Sequence, residues 1–145
     1  MPEGLPSSLR ILDLASNLIP AVPNNTFKKF ENLTMLVLTD NHISFIDKLG
    51  FNGLGNLVQL QLTANRISIQ DLEDSIFKIA PKFLPSLKKL LLSRMNFTLR
   101  QNSLKELSGN LHLDRIDVSN NLEICQIPDN TFSGLVLKTL DIGFC

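Results

Sequence analysis

The chain has 145 residues, and fourteen basic against fourteen acidic side chains leave no net charge to signal a nucleic-acid or membrane-surface partner. That length buries one sizeable core, and two cysteines, Cys125 and Cys145, are too few for a disulfide-rich scaffold. No apolar run reaches the ~18–20 residues that span a bilayer, and Met1-Pro2-Glu3-Gly4-Leu5-Pro6 lacks the basic and apolar regions of a secretory signal.

In chain order the first element is Leu9-x-x-Leu12-x-Leu14-x-x-Asn17-x-Ile19. The pattern returns as Leu33, Leu36, Leu38, Asn41 and Ile43, then as Leu57, Leu60, Leu62, Asn65 and Ile67. A fourth copy uses Leu87, Leu90, Leu92 and Phe97, a fifth Leu113, Ile116, Val118 and Asn121, and a sixth Leu137, Leu140, Ile142 and Cys145. Repeats therefore start near 9, 33, 57, 87, 113 and 137, at spacings of 24, 24, 30, 26 and 24 residues. Between them an aliphatic residue is followed five later by phenylalanine, as in Val22/Phe27, Ile46/Phe51 and Ile127/Phe132.

The long third repeat accommodates a helix, with Asp71 as cap, Leu72, Ile76, Ile79 and Phe83 at helical spacing, and Pro81 as its end. In the fourth, Ser103, Glu106 and Gly109 predict a shorter capped turn. Repeat four also departs from the pattern, because Met95 occupies the asparagine position and Asn96 follows it. Either the turn slips so that Asn96 takes the asparagine's role, or the column is broken there.

Alternation in L-x-x-L-x-L puts one set of leucines on the inner face of a short strand. One such strand cannot bury that face, but stacked turns make a parallel sheet over a continuous apolar core. The phenylalanines fill the far side of the core. Leaving each strand, the backbone turns inward with N–H and C=O groups that have no ladder partner. A side-chain amide offers donors and an acceptor, so Asn17, Asn41, Asn65 and Asn121 are expected to satisfy those groups from inside.

These residues resemble the leucine-rich repeat family over residues 5 to 145, and the 24-residue period is similar to its typical extracellular subclass. Unequal repeats among regular ones resemble Toll-like receptor ectodomains. The resemblance implies an α/β solenoid, a horseshoe with a parallel β-sheet on the concave face and irregular, 3₁₀ or short helical segments on the convex face. It implies one domain over 1–145 acting as a non-catalytic module of an innate immune receptor. Its partner is then a protein or pathogen-derived ligand on the concave or lateral face, with dimerisation in the parent receptor. It also implies an extracellular or endosomal location, although this chain carries no span of its own.

The alternative is an intracellular leucine-rich repeat scaffold or inhibitor of a protein partner, which suits the missing signal. Solenoids need end caps, and none is identifiable here, so the chain reads as a fragment expected to associate through its ends as concentration rises. No enzyme is expected. The candidate chemistry would be Cys125 or Cys145 with His112 as base, but no registered base–nucleophile pairing, phosphate loop or metal-ligand spacing accompanies them, so no cofactor is implied.

The outward strand positions are the candidate binding face. One column runs Asp13, Val37, Gln61, Leu91, Asp117 and Asp141, and its neighbour Ile11, Met35, Gln59, Lys89, Arg115 and Thr139. Both pass from apolar to polar to charged, and the aliphatics fit either a protein-binding patch or plain strand propensity. Sequons at Asn24, Asn32 and Asn96 are candidate glycosylation sites. Fourteen asparagines among nineteen serines and threonines predict about two by chance, so the three add little weight. A buried ladder amide cannot carry a glycan, so Asn96 holds at most one of its two roles. Cys145 falls in the asparagine column, where the family accepts cysteine. A bridge to Cys125 stays open, but Cys125 lies four residues past its own ladder position and would need a tight local path.

Overall fold

The computed structural model describes residues 4–78, 80–99, 101–109, 112–121 and 127–143. Each repeat contributes one short strand: β1 (Ile11–Asp13), β3 (Met35–Val37), β5 (Gln59–Gln61), β6 (Lys89–Leu91), β7 (Arg115–Asp117) and β8 (Thr139–Asp141). They form a six-stranded parallel sheet in the order β1-β3-β5-β6-β7-β8. Equivalent residues face one another across it, so Leu12, Leu36, Leu60, Leu90, Ile116 and Leu140 make one inward column. The expected solenoid, with its sheet on the concave face, is the fold observed.

Three residues per strand understate the pairing. The ladder continues past each strand end, with Leu14 N donating to Val37 O at 2.9 Å, Leu38 N to Gln61 O at 2.8 Å and Leu62 N to Leu91 O at 2.9 Å. The chain then turns through a residue in the left-handed region, Ser16, Asp40, Ala64, Arg94 or Asn120, all with φ of 54–56°. A glycine-like conformation at non-glycine residues costs on the order of 1 kcal/mol each. It persists because the same residue's N–H is held: Ser16 N bonds Thr39 O at 3.0 Å, and Asp40 N bonds Thr63 O at 2.9 Å.

Behind the sheet the core runs unbroken from Leu12 to Val118, with Phe27, Phe30, Phe51 and Phe77 wholly buried. Phe27 and Phe51 stack with centroids 6.0 Å apart and planes within 5°. At β8, the last strand of the sheet, the inward Leu140 and Ile142 remain 37% and 38% exposed. A second sheet, not expected from the sequence, pairs β2 (Ala21–Val22) with β4 (Phe45–Ile46) in parallel on the opposite side.

In the third repeat the helix begins earlier than expected. Ser68, not Asp71, is the cap of α1 (Ile69–Leu72), its Oγ accepting from Asp71 N at 3.1 Å. Both residues are competent caps, but only Ser68 precedes buried Ile69 and Leu72 at the spacing that buries both. A π turn follows (Glu73–Phe77), in which Ser75 Oγ bonds Asp71 O, and then α2 (Ala80–Phe83). Pro81 therefore sits in the first turn of α2 and does not end a helix, since its missing N–H is harmless there. Lys78 donates to Asp74 at 2.5 Å, and that bond, with one from Gln70, holds the Asp74 carboxyl below its ordinary range. In the fourth repeat a 3₁₀ helix covers Lys105–Gly109, so Gly109 lies within the element that it was expected to follow.

Turns stack so closely that one glycine is obligatory. Gly53 has φ +95°, and a Cβ there would lie 2.6 Å from Lys28 O. Gly53→Ala is expected to lower unfolding free energy by about 2 kcal/mol or more. Gly55→Ala, where nothing lies within 4 Å, is expected to leave it nearly unchanged. Paired denaturant titrations check the contrast.

Candidate recognition surface

The inter-repeat turns hold the sheet's outward columns in place. Asn41 donates from Nδ2 to Leu14 O at 2.9 Å and Leu38 O at 3.1 Å, and its Oδ1 accepts from Ile19 N at 3.1 Å. Asn65 repeats this with Leu38 O and Leu62 O, both at 2.8 Å, and with Ile43 N at 3.0 Å. Asn121 donates to Leu92 O at 2.9 Å and Val118 O at 2.8 Å, and accepts from Met95 N at 2.7 Å. All three are buried.

Asn17 corrects the expectation of a uniformly interior column. It is exposed and bonds only carbonyls of its own turn, Leu14 O at 2.9 Å and Ala15 O at 3.0 Å, because β1 is the first strand of the sheet. At repeat four the column is interrupted: Met95 is buried at 3% exposure, and Asn96 points outward with φ 59°. Asn96 therefore does not enter the ladder. Cys145 and Cys125 lie outside the described residues.

On the concave face Ile11 is 59% exposed, Asp13 and Lys89 are exposed, and Met35, Val37, Gln59, Gln61, Leu91, Arg115 and Asp117 are half-buried. Each interior strand has outward neighbours of equal register on the strands at both sides, which accounts for the partial burial. Toward β8 the charges are tied together, Arg115 Nη2 to Asp141 Oδ2 at 2.6 Å and Lys138 Nζ to Asp114 Oδ1 at 3.0 Å. Asp13 Oδ1 accepts from Ala15 N at 2.9 Å, and Asp117 Oδ1 from Ser119 N at 3.0 Å.

Sequence reasoning missed a hydroxyl row beside these columns, formed by Thr39, Thr63, Ser93 and Ser119, in which Thr63 and Ser93 hydroxyls bond at 3.1 Å. The same periodic register, read two positions beyond Val37, Gln61, Leu91 and Asp117, would have found it. Away from the sheet, a groove of about 410 Å³ opens beside the ladder break, lined by Asn65, Arg66, Ile67, Met95, Asn96 and Phe97. Another, of about 420 Å³, adjoins Leu14, Leu18, Ile19 and Val22. Among the described residues no three His, Cys, Asp or Glu side chains cluster to hold a metal ion.

The sequon asparagines stand off the sheet's open face. Asn24 is exposed, its Oδ1 accepts from Leu49 N at 2.9 Å, and its Nδ2 makes no hydrogen bond among the described residues. Asn32 is exposed, with Nδ2 3.5 Å from Ser7 O.

The ladder supplies a direct test. Asn65→Ala would leave one buried carbonyl, Leu62 O, and one buried N–H, that of Ile43, without their partner, and would take from Leu38 O one of its two amide donors, a loss expected to be about 2–4 kcal/mol. Asn17→Ala removes one exposed and one part-buried bond, and Leu14 O keeps its bond from Asn41, so it is expected to cost under about 1 kcal/mol. Equal midpoint shifts for the two variants in urea would contradict this account.

Comparison with known proteins gives the surface a context. Residues 7–67 match the family model described as Leucine rich repeat. A crystal structure of a TLR13–ssRNA13 complex superposes with a TM-score of 0.73 at 30% identity, covering 96% of this chain and 19% of the other. The crystal structure of human 5T4, also called Wnt-activated inhibitory factor 1 or trophoblast glycoprotein, superposes at 0.74 with 22% identity, covering 99% and 54%. The chain thus spans about a fifth of one relative and about half of the other. No curated protein sequence matches it.

Proposed function

Because this chain is a leucine-rich repeat solenoid, of the architecture typical of protein-binding modules, we propose that it is a non-catalytic recognition module of a Toll-like receptor ectodomain. The partner docks on the concave sheet. One observation carries the reading: the strands present apolar Ile11, Met35, Val37 and Leu91 outward, on a face that the fold itself leaves uncovered. Outward aliphatics on a sheet that no other element covers are the kind of surface a protein partner buries.

Catalysis has no comparable support. His42 and His112 are both exposed, and neither lies on the concave columns. The intracellular scaffold reading uses the same face and differs only in compartment. Asn24 and Asn32 favour the extracellular reading, since each is exposed and off the sheet, where a glycan leaves the concave columns free.

The compartment is tested on the protein isolated from the cells that make it. Treatment with a peptide N-glycosidase is expected to lower its mass and convert Asn24 and Asn32 to aspartate. Unmodified asparagine at Asn24, Asn32 and Asn96 alike would sink the ectodomain reading and leave the intracellular one.

A further inference from the structure

The concave strands bring like charges into register at two places, and only one is relieved internally. Asp117 stands opposite Asp141. There Arg115 Nη2 engages Asp141 at 2.6 Å, while Ser119 Oγ donates to Asp117 Oδ1 at 2.6 Å. One strand earlier, Lys89 stands opposite Arg115. Arg115 has its carboxylate, but Lys89 is exposed and forms no ion pair among the described residues. Adjacent strands lie about 4.8 Å apart, so facing cations repel, and with Asp141 offsetting Arg115 it is Lys89 that stands without a counter-charge among the described residues.

The surroundings narrow the class of anion. Leu91 lies on the same strand as Lys89, and Met35 and Val37 lie two strands away, about 10 Å off. No aromatic residue stands in either outward column, so the face has no platform on which the bases of a single-stranded nucleic acid could stack. Aliphatic side chains beside a cation suit a protein segment that carries acidic and apolar residues together.

We infer that Lys89 and Arg115 receive a carboxylate of an acidic protein segment, whose apolar neighbours lie on Leu91 and Val37. The inference rests on the concave face being the recognition surface and adds the partner's charge and the point at which it is read.

The probes are a displayed library of random linear peptides and a mixed-sequence single-stranded RNA oligonucleotide, each presented to the whole chain. Selected peptides are expected to be rich in Asp and Glu. Their affinity should fall at least about tenfold with Lys89→Glu and stay unchanged with Lys105→Glu on the convex side. Without peptide, Lys89→Glu is expected to raise Tm by about 1–3 °C, since a carboxylate then faces Arg115, and that rise excludes misfolding as the cause. Peptides lost with Val37→Glu but retained with Lys89→Glu would keep the concave recognition surface and overturn the carboxylate receptor. Peptides indifferent to both substitutions, or none selected, would overturn both readings. Lys89-dependent binding of the RNA in preference to any peptide would overturn the acidic protein partner.

Discussion

A buried asparagine amide that bonds the carbonyls of two consecutive turns is the contact on which this solenoid depends. Leucine stacking supplies most of the driving force, yet burial is non-directional and would tolerate turns that slide or splay. Asn41, Asn65 and Asn121 remove that freedom, because each donates to its own turn and to the turn before it, and accepts an N–H from the latter. An unsatisfied buried backbone group costs more than a typical hydrogen bond gains, so the amide selects one register. Where Met95 replaces it, the strand ladder, the Ala64 N to Ser93 O bond and packing hold the junction without an amide, and a lateral groove opens at that place.

The outward face follows from the same constraint. With every repeat held in register, side chains of equal rank in successive repeats become neighbours on adjacent strands. The surface therefore consists of straight columns, whose character changes with each repeat and not along each strand. Apolar Ile11 and Met35 lie at one end, and the Arg115–Asp141 pair at the other. The columns change in character from repeat to repeat, which is how a fold made of near-identical units can present a unique surface.

The third repeat shows how local chemistry bends the rule without breaking it. Six extra residues are taken up on the convex side as α1, a π turn and α2, while β5 and β6 still pair Gln59 with Lys89. The insertion replaces the strand that would have continued β2 and β4, so the convex sheet stops at two strands. Sheet register is conserved through the longer repeat because the strand and the asparagine turn, not the convex segment, carry the bonds between repeats.

The periodic leucines, the inward and outward alternation and the positions of the strands were all legible in the chain, because each depends on residue spacing within one repeat. The helix boundary was less so: Ser68 and Asp71 are both competent caps, and the burial of Ile69 and Leu72 chose between them. Exposure of Asn17, burial of Met95 and the outward position of Asn96 were not readable in the motif, which assigns a role to each column without knowing what lies on either side. The facing of Lys89 and Arg115 was legible in the outward column, but the pairing of Arg115 with Asp141, which leaves Lys89 without an ion pair among the described residues, required the folded chain. Sequence alone determined the repeat, and with it the solenoid, because hydrophobic spacing is a local property. Tertiary structure decided which polar groups are satisfied and which charges meet, because those depend on distances between turns.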